Sequence, residues 1–106
     1  MLRRKIFIMM LVLSLNLLWS IELVVNPYLQ NATPNSMHIL WETDSDSQTI
    51  VEWGLSPFLT ESTSGTSFSN YGNSKIHTVE LSNLNSGTRY YYRVVVGDYE
   101  SYSDLY

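Results

Sequence analysis

The sequence predicts an all-β domain of two small packed sheets. Three observations carry that expectation. Beyond residue 20 the chain is rich in Val, Ile, Thr, Tyr and Trp, in short runs that alternate apolar and polar residues; this is the period of a half-buried strand. Clusters of Gly, Asn, Ser and Asp separate the runs at intervals of about 8–12 residues, as in sandwiches and barrels. No stretch of this region places apolar residues at helical spacing.

In chain order, the first segment stands apart. Arg3, Arg4 and Lys5 precede an almost wholly apolar run over residues 6–18, broken only by Ser14 and Asn16, and a polar boundary follows at Ser20. Charge, apolar run and small residue in that order describe a secretory signal peptide over 1–20, helical in its apolar part. The run is shorter than the roughly 20 residues that a spanning helix needs. The competing reading, an uncleaved anchor extended through residues 21–25, is interrupted by Ser20 and Glu22. The domain then covers residues 21–106. A first edge strand is expected over 21–25, ended by Asn26-Pro27, and a polar turn over 31–35. The next strand, 36–43, puts Met37, Ile39 and Trp41 on the core face and His38, Leu40 and Glu42 outside. A third strand runs over 48–53 and stops at Gly54. Residues 60–74 read as a weak edge strand or a loop. In the strand 75–81, His77, Val79 and Leu81 face the core. The strongest pattern, 89–96, buries Tyr90, Tyr92, Val94 and Val96 and turns Tyr91, Arg93 and Val95 outward. Gly97-Asp98 turns the chain.

Charge and cysteine usage narrow the function classes. The whole chain has six basic and ten acidic residues. Removal of residues 1–20 leaves three basic residues, Lys75, Arg89 and Arg93, against all ten acids, a net charge of −7. Such a surface repels phosphate backbones and anionic lipid, so neither nucleic acid nor, after signal cleavage, membrane is an expected partner. There is no cysteine. The domain must rest on its apolar core, and no lipid can be attached at the signal boundary. A secreted or periplasmic location follows from the signal reading.

Residues 84–90, Leu84-Asn85-Ser86-Gly87-Thr88-Arg89-Tyr90, lead into the strongest strand. In immunoglobulin-like sandwiches a Tyr at this point pins the preceding corner by bonding upstream backbone. With Trp41 as the core's largest member and Leu84 as a plug at its base, the pattern resembles a fibronectin type III domain. Closer still, Pro27-Tyr28-Leu29-Gln30, Pro34-Asn35-Ser36-Met37, Trp41-Glu42-Thr43, Val51-Glu52-Trp53-Gly54, His77-Thr78-Val79-Glu80-Leu81 and Tyr90-Tyr91-Tyr92-Arg93-Val94 resemble, in order, the N-terminal domain of purple acid phosphatases. Trp53 stands where Tyr is more usual in that family, and Ser86 where Pro is common. The resemblance implies a downstream catalytic domain in the same polypeptide as partner and a homodimer through that parent. It also implies hydrolysis of phosphate monoesters at a dinuclear metal site (Fe with Fe, Zn or Mn) held by that other domain. No catalytic, cofactor or metal residue is expected in this chain.

Individual residues support that division. His38 and His77, the two histidines, belong to different strands and opposite faces, so structural or surface roles are favoured over metal binding. Gly97-Asp98-Tyr99-Glu100-Ser101-Tyr102 approximates the family's Gly-Asp-x-x-Tyr ligand motif, but Ser101 occupies the ligand position and the context is a turn. The set Tyr90, Tyr91, Tyr92, Tyr99, Tyr102 and Tyr106 could form a sugar platform; core and interface packing are the commoner fates of such residues. Asn31-Ala32-Thr33 is an N-glycosylation sequon expected in a turn. Leu105-Tyr106 reads as the start of a last strand, which is expected to be incomplete and to leave its neighbour partly unpaired. The expected function is a non-catalytic accessory module. The alternative is a stand-alone fibronectin type III-like module that binds a glycan or a protein.

Overall fold

A computed structural model describes residues 21–97 and 102–106. The expected signal peptide, and Asp98 to Ser101 of the Gly97–Tyr102 segment, lie outside the described residues.

Seven strands form two antiparallel sheets with no helix among the described residues. They are β1 Leu23–Thr33, β2 Ser36–Thr43, β3 Ile50–Gly54, β4 Glu61–Ser64, β5 Thr66–Ser69, β6 Lys75–Leu81 and β7 Tyr91–Val94. One sheet has the order β1-β2-β6-β5 and the other β4-β3-β7. This is the expected immunoglobulin-like sandwich of the fibronectin type III kind.

β2 and β6 pair along their whole length, from Met37↔Leu81 to Thr43↔Lys75. Their alternation places Ile39, Trp41, Val79 and Leu81 in the core, where they meet Val51, Val94 and Val96 from the facing sheet. Both strands have the expected bounds and the expected inward faces. Burial of four or five such side chains at about 1.5–3 kcal/mol each is the main source of stability in a domain without disulfides.

β1 does not end at Asn26-Pro27. It continues to Thr33, because Pro27 occupies a register shift between Val25 and Tyr28. Pro lacks the N–H that a regular ladder would need, and an edge strand with a bulge tolerates this. Two more shifts lie between Leu23 and Val25 and between Gln30 and Thr33, where Asn31 has φ 54°. Asn is among the few residues that adopt this left-handed conformation readily. The turn is thus only Pro34-Asn35, and Asn31 lies in the strand, still exposed.

Residues 60–74 hold two strands. β4 pairs with β3, and β5 pairs with β6 in the other sheet. One extended run therefore changes sheets at Gly65. A Cβ there would lie 2.0 Å from the Thr78 carbonyl oxygen and 2.9 Å from Val79 Cα, so the crossing requires glycine.

β7 is shorter than the expected 89–96. Tyr90 precedes it on the corner, and Val95 makes a single bridge to Tyr102. Val95 was expected to face outward; it is buried between a bond to the Ile50 carbonyl and that bridge. The final segment pairs with β7 over a longer stretch than the expected Leu105-Tyr106. Ser103 N–H donates to the Val94 carbonyl (2.9 Å), and Tyr92 and Tyr106 exchange both backbone bonds (2.9 and 2.8 Å). The edge of β7 is consequently covered at Tyr92 and Val94.

Candidate functional site

The strands bring the loops to two ends of the sandwich, and the singled-out residues divide between them. At one end meet residues 21–22, the loop 44–49, the turn 70–74 and Gly97. Asp44 N–H donates to the Glu22 carbonyl at 3.0 Å, and Gly97 N–H to Ser47 Oγ at 2.8 Å. Beneath them lies His77, fully buried. Its ring stacks on Trp41 with centroids 5.1 Å apart and planes 14° from parallel.

Both His77 nitrogens are occupied. Nε2 lies 2.8 Å from Thr43 Oγ1, and Nδ1 lies 2.7 Å from Thr49 Oγ1. The Thr43 hydroxyl donates to the Ser45 carbonyl at 2.7 Å. Its oxygen must then accept from His77 Nε2–H, and in the neutral ring Nδ1 accepts from the Thr49 hydroxyl. The network places a proton on Nε2, and burial selects the neutral Nε2–H tautomer. Burial disfavours the charged ring and lowers its pKa below the ordinary value of 6.5; Asp46 opposes that shift and Lys75 adds to it. His77 is a structural linchpin between sheets, with no lone pair left for a metal.

His38 lies on the opposite face of the same sheet, with Nε2 3.5 Å from Glu80. Among the described residues no three His, Cys, Asp or Glu side chains form a group that could hold a metal.

The other end gathers the Pro34-Asn35 turn, the loop 55–60 and the loop 82–90. Asn85 N–H donates to the Tyr90 hydroxyl at 2.8 Å, which closes the corner before β7. Leu84 is partly buried against the core and is tied to the first hairpin turn in both directions: its N–H donates to the Asn35 carbonyl (2.8 Å), and Asn35 Nδ2 donates to its own carbonyl (3.1 Å). A cavity of about 210 Å³ opens between the sheets here, lined in part by Leu29, Leu84, Tyr90 and Tyr92. Beside it Trp53 meets Tyr90 edge to face, with centroids 5.8 Å apart, and Trp53 Nε1–H donates to Thr63 Oγ1 at 3.0 Å. The two rings share a shallow groove with Leu55, Ser56, Thr60 and Glu61.

The described tyrosines are scattered, as packing roles rather than a shared platform would have them. Tyr90 lines the groove, Tyr92 stacks on Tyr106 with centroids 5.4 Å apart, and the Tyr102 ring lies 3.8 Å from the Arg93 guanidinium carbon. Arg93 also donates to Glu52 at 2.8 Å across β3 and β7. Sequence reasoning missed the Thr43 and Thr49 partners of His77, because nothing in spacing announces which hydroxyls meet a ring. It also missed the loop 55–60, where a signal was present: Leu55 and Phe58 are large apolar residues in a turn segment beside Pro57.

No curated protein matches the sequence. The family described as the purple acid phosphatase N-terminal domain matches residues 24–106. That span contains both sheets, the crossing at Gly65 and the tyrosine corner. The chain belongs to the family of purple acid phosphatase N-terminal domains.

Proposed function

We propose that this chain is the non-catalytic front module of an exported metallophosphoesterase of the purple acid phosphatase kind. The family match across residues 24–106 carries the reading. The engagement of both His77 nitrogens, and the separation of His38 on the other face, support a division of labour in which this module supplies no ligands. The domain that follows would bind two metal ions, which lower the pKa of bound water and offset charge at phosphorus. This module would orient that domain or shape its approach.

The test is to read the coding sequence past Tyr106 and purify the encoded protein beside residues 21–106. The longer protein should hydrolyse a phosphate monoester, contain two metal equivalents per chain and lose activity to a chelator. Residues 21–106 alone should neither hydrolyse the ester nor contain the metal. N-terminal sequencing of the exported product should begin near Ile21. A longer protein without bound metal would end the reading. The groove between Trp53 and Tyr90 favours a second reading, a glycan-binding module, because aromatic faces beside hydroxyls and a carboxylate suit sugars. Glycan-array binding by residues 21–106 that is lost in Trp53→Ala would support it.

A further inference from the structure

We propose that the loop 55–60, with the adjoining cleft between Leu29, Leu84 and Tyr90, is the surface on which the following domain of the same polypeptide seats. This rests on the accessory-module reading and adds where the contact is made.

Chain direction is the first argument. The segment 102–106 runs antiparallel to β7, and Tyr106 exchanges both backbone hydrogen bonds with Tyr92. Backbone that continues from Tyr106 passes Tyr91, whose partner on β3 is Gly54. It leaves at the end of the sandwich that carries the loop 55–60, with β7 lying between it and β3.

Surface chemistry is the second. Phe58 is 89% exposed and Leu55 65% exposed. They are not frayed outward: Leu59 N–H donates to the Ser56 carbonyl (3.2 Å) and Phe58 N–H to Ser56 Oγ (3.3 Å). Leu59 turns inward at φ 49°, which leaves Leu55 and Phe58 outside a closed turn. Exposed apolar groups held in place beside an apolar cleft mark an interaction site.

Charge distribution is the third. Glu61 and Arg89, of opposite sign, are the charged residues of this end, whereas the opposite end carries Glu22, Asp44, Asp46 and Lys75. Interface centres are depleted of charge because ions are costly to desolvate. In so acidic a chain, this end can be dehydrated with least loss. The other apolar patches fit a partner less well. Tyr71 and Phe68 lie toward the far end, and Val24 and Val25 lie on an edge strand interrupted by three register shifts.

The test uses the two-domain protein. Amides of 55–60 should exchange about tenfold more slowly than those of the exposed residues 70–73 of the far turn. The double variant Leu55→Ser/Phe58→Ser should lose that protection, and proteolysis of the connection after Tyr106 should speed up about tenfold, while β2 and β6 amides stay protected. Tyr71→Ser should change neither. The proposal is overturned if 55–60 exchange as fast as 70–73 beside a folded second domain, or if the double variant leaves proteolysis unchanged. A coding sequence with no second domain overturns the accessory reading as well, and the sequence itself distinguishes that failure from a misplaced contact.

Discussion

The two ends of the sandwich solve opposite problems. At the His77 end the buried imidazole is answered locally, ring to hydroxyl, hydroxyl to carbonyl and loop backbone to loop backbone, while Trp41 Nε1 and Ser74 Oγ are buried without a partner. At the Tyr90 end the corner is closed by one 2.8 Å bond, while Leu55 and Phe58 stand in solvent over an apolar cleft. If the proposed docking holds, the difference teaches that a small cysteine-free domain can close one end with local hydrogen bonds and leave the other for a neighbour. A family signature alone does not reveal which end is which.

The harshest way to break the comparison acts on both ends together. The run 61–69 spans the distance between them, and Gly65→Ala would drive a Cβ into the Thr78 carbonyl. We expect a loss of about 3 kcal/mol, near the top of the overpacking range, read as a drop in the urea midpoint with hydrogen-exchange protection reduced at both ends. An unaffected midpoint would mean that the crossing can shift at no cost.

His77→Ala tests the closed end alone. It removes the stack on Trp41 and leaves the Thr49 hydroxyl without its partner, at an expected cost of about 2–3 kcal/mol. Tyr90→Phe removes only the bond from Asn85 and should cost about 1 kcal/mol, equivalent to roughly 4–8 °C in Tm. If the two substitutions cost the same, the ends do not differ as described.

Acid sharpens the contrast further. Because folding lowers the His77 pKa, the unfolded chain binds more protons than the folded one below pH 6.5. The contribution of His77 is therefore fully present above pH 6.5 and is lost as pH falls from there toward the lowered folded value. The urea midpoint of the natural chain should fall between pH 7 and 5.5 by more than that of His77→Gln, and equal slopes would remove His77 from the account. The smallest effect is expected at the open end: Leu55→Ser and Phe58→Ser should each shift the stability of this chain by no more than about 0.5 kcal/mol, since neither side chain is buried here.

Several elements were legible in the sequence because alternation and sheet burial are the same fact stated twice. Met37-His38-Ile39-Leu40-Trp41 and His77-Thr78-Val79-Glu80-Leu81 each allow one face that buries the larger apolar set, and both strands formed with those faces inward. Position before the last strong strand sufficed to place Tyr90 at a corner. Pro27 misled, because a proline reads as a strand end unless a bulge at a sheet edge excuses its missing N–H. The Ser- and Thr-rich stretch 61–69 carries too little apolar alternation to declare strands; the free edges of β3 and β6 recruit it, one on each side of Gly65.

By itself, then, the sequence determined the class of fold, the inward faces of its central strands, the acidic balance and the family, since each follows from local period, composition or ordered motif. Only the tertiary structure decided how the run 61–69 divides between two sheets, which hydroxyls hold His77 neutral, and that Leu55 and Phe58 share an end with the departing chain. Those facts depend on residues tens of positions apart meeting in space, and no local pattern encodes which loop comes to lie beside which.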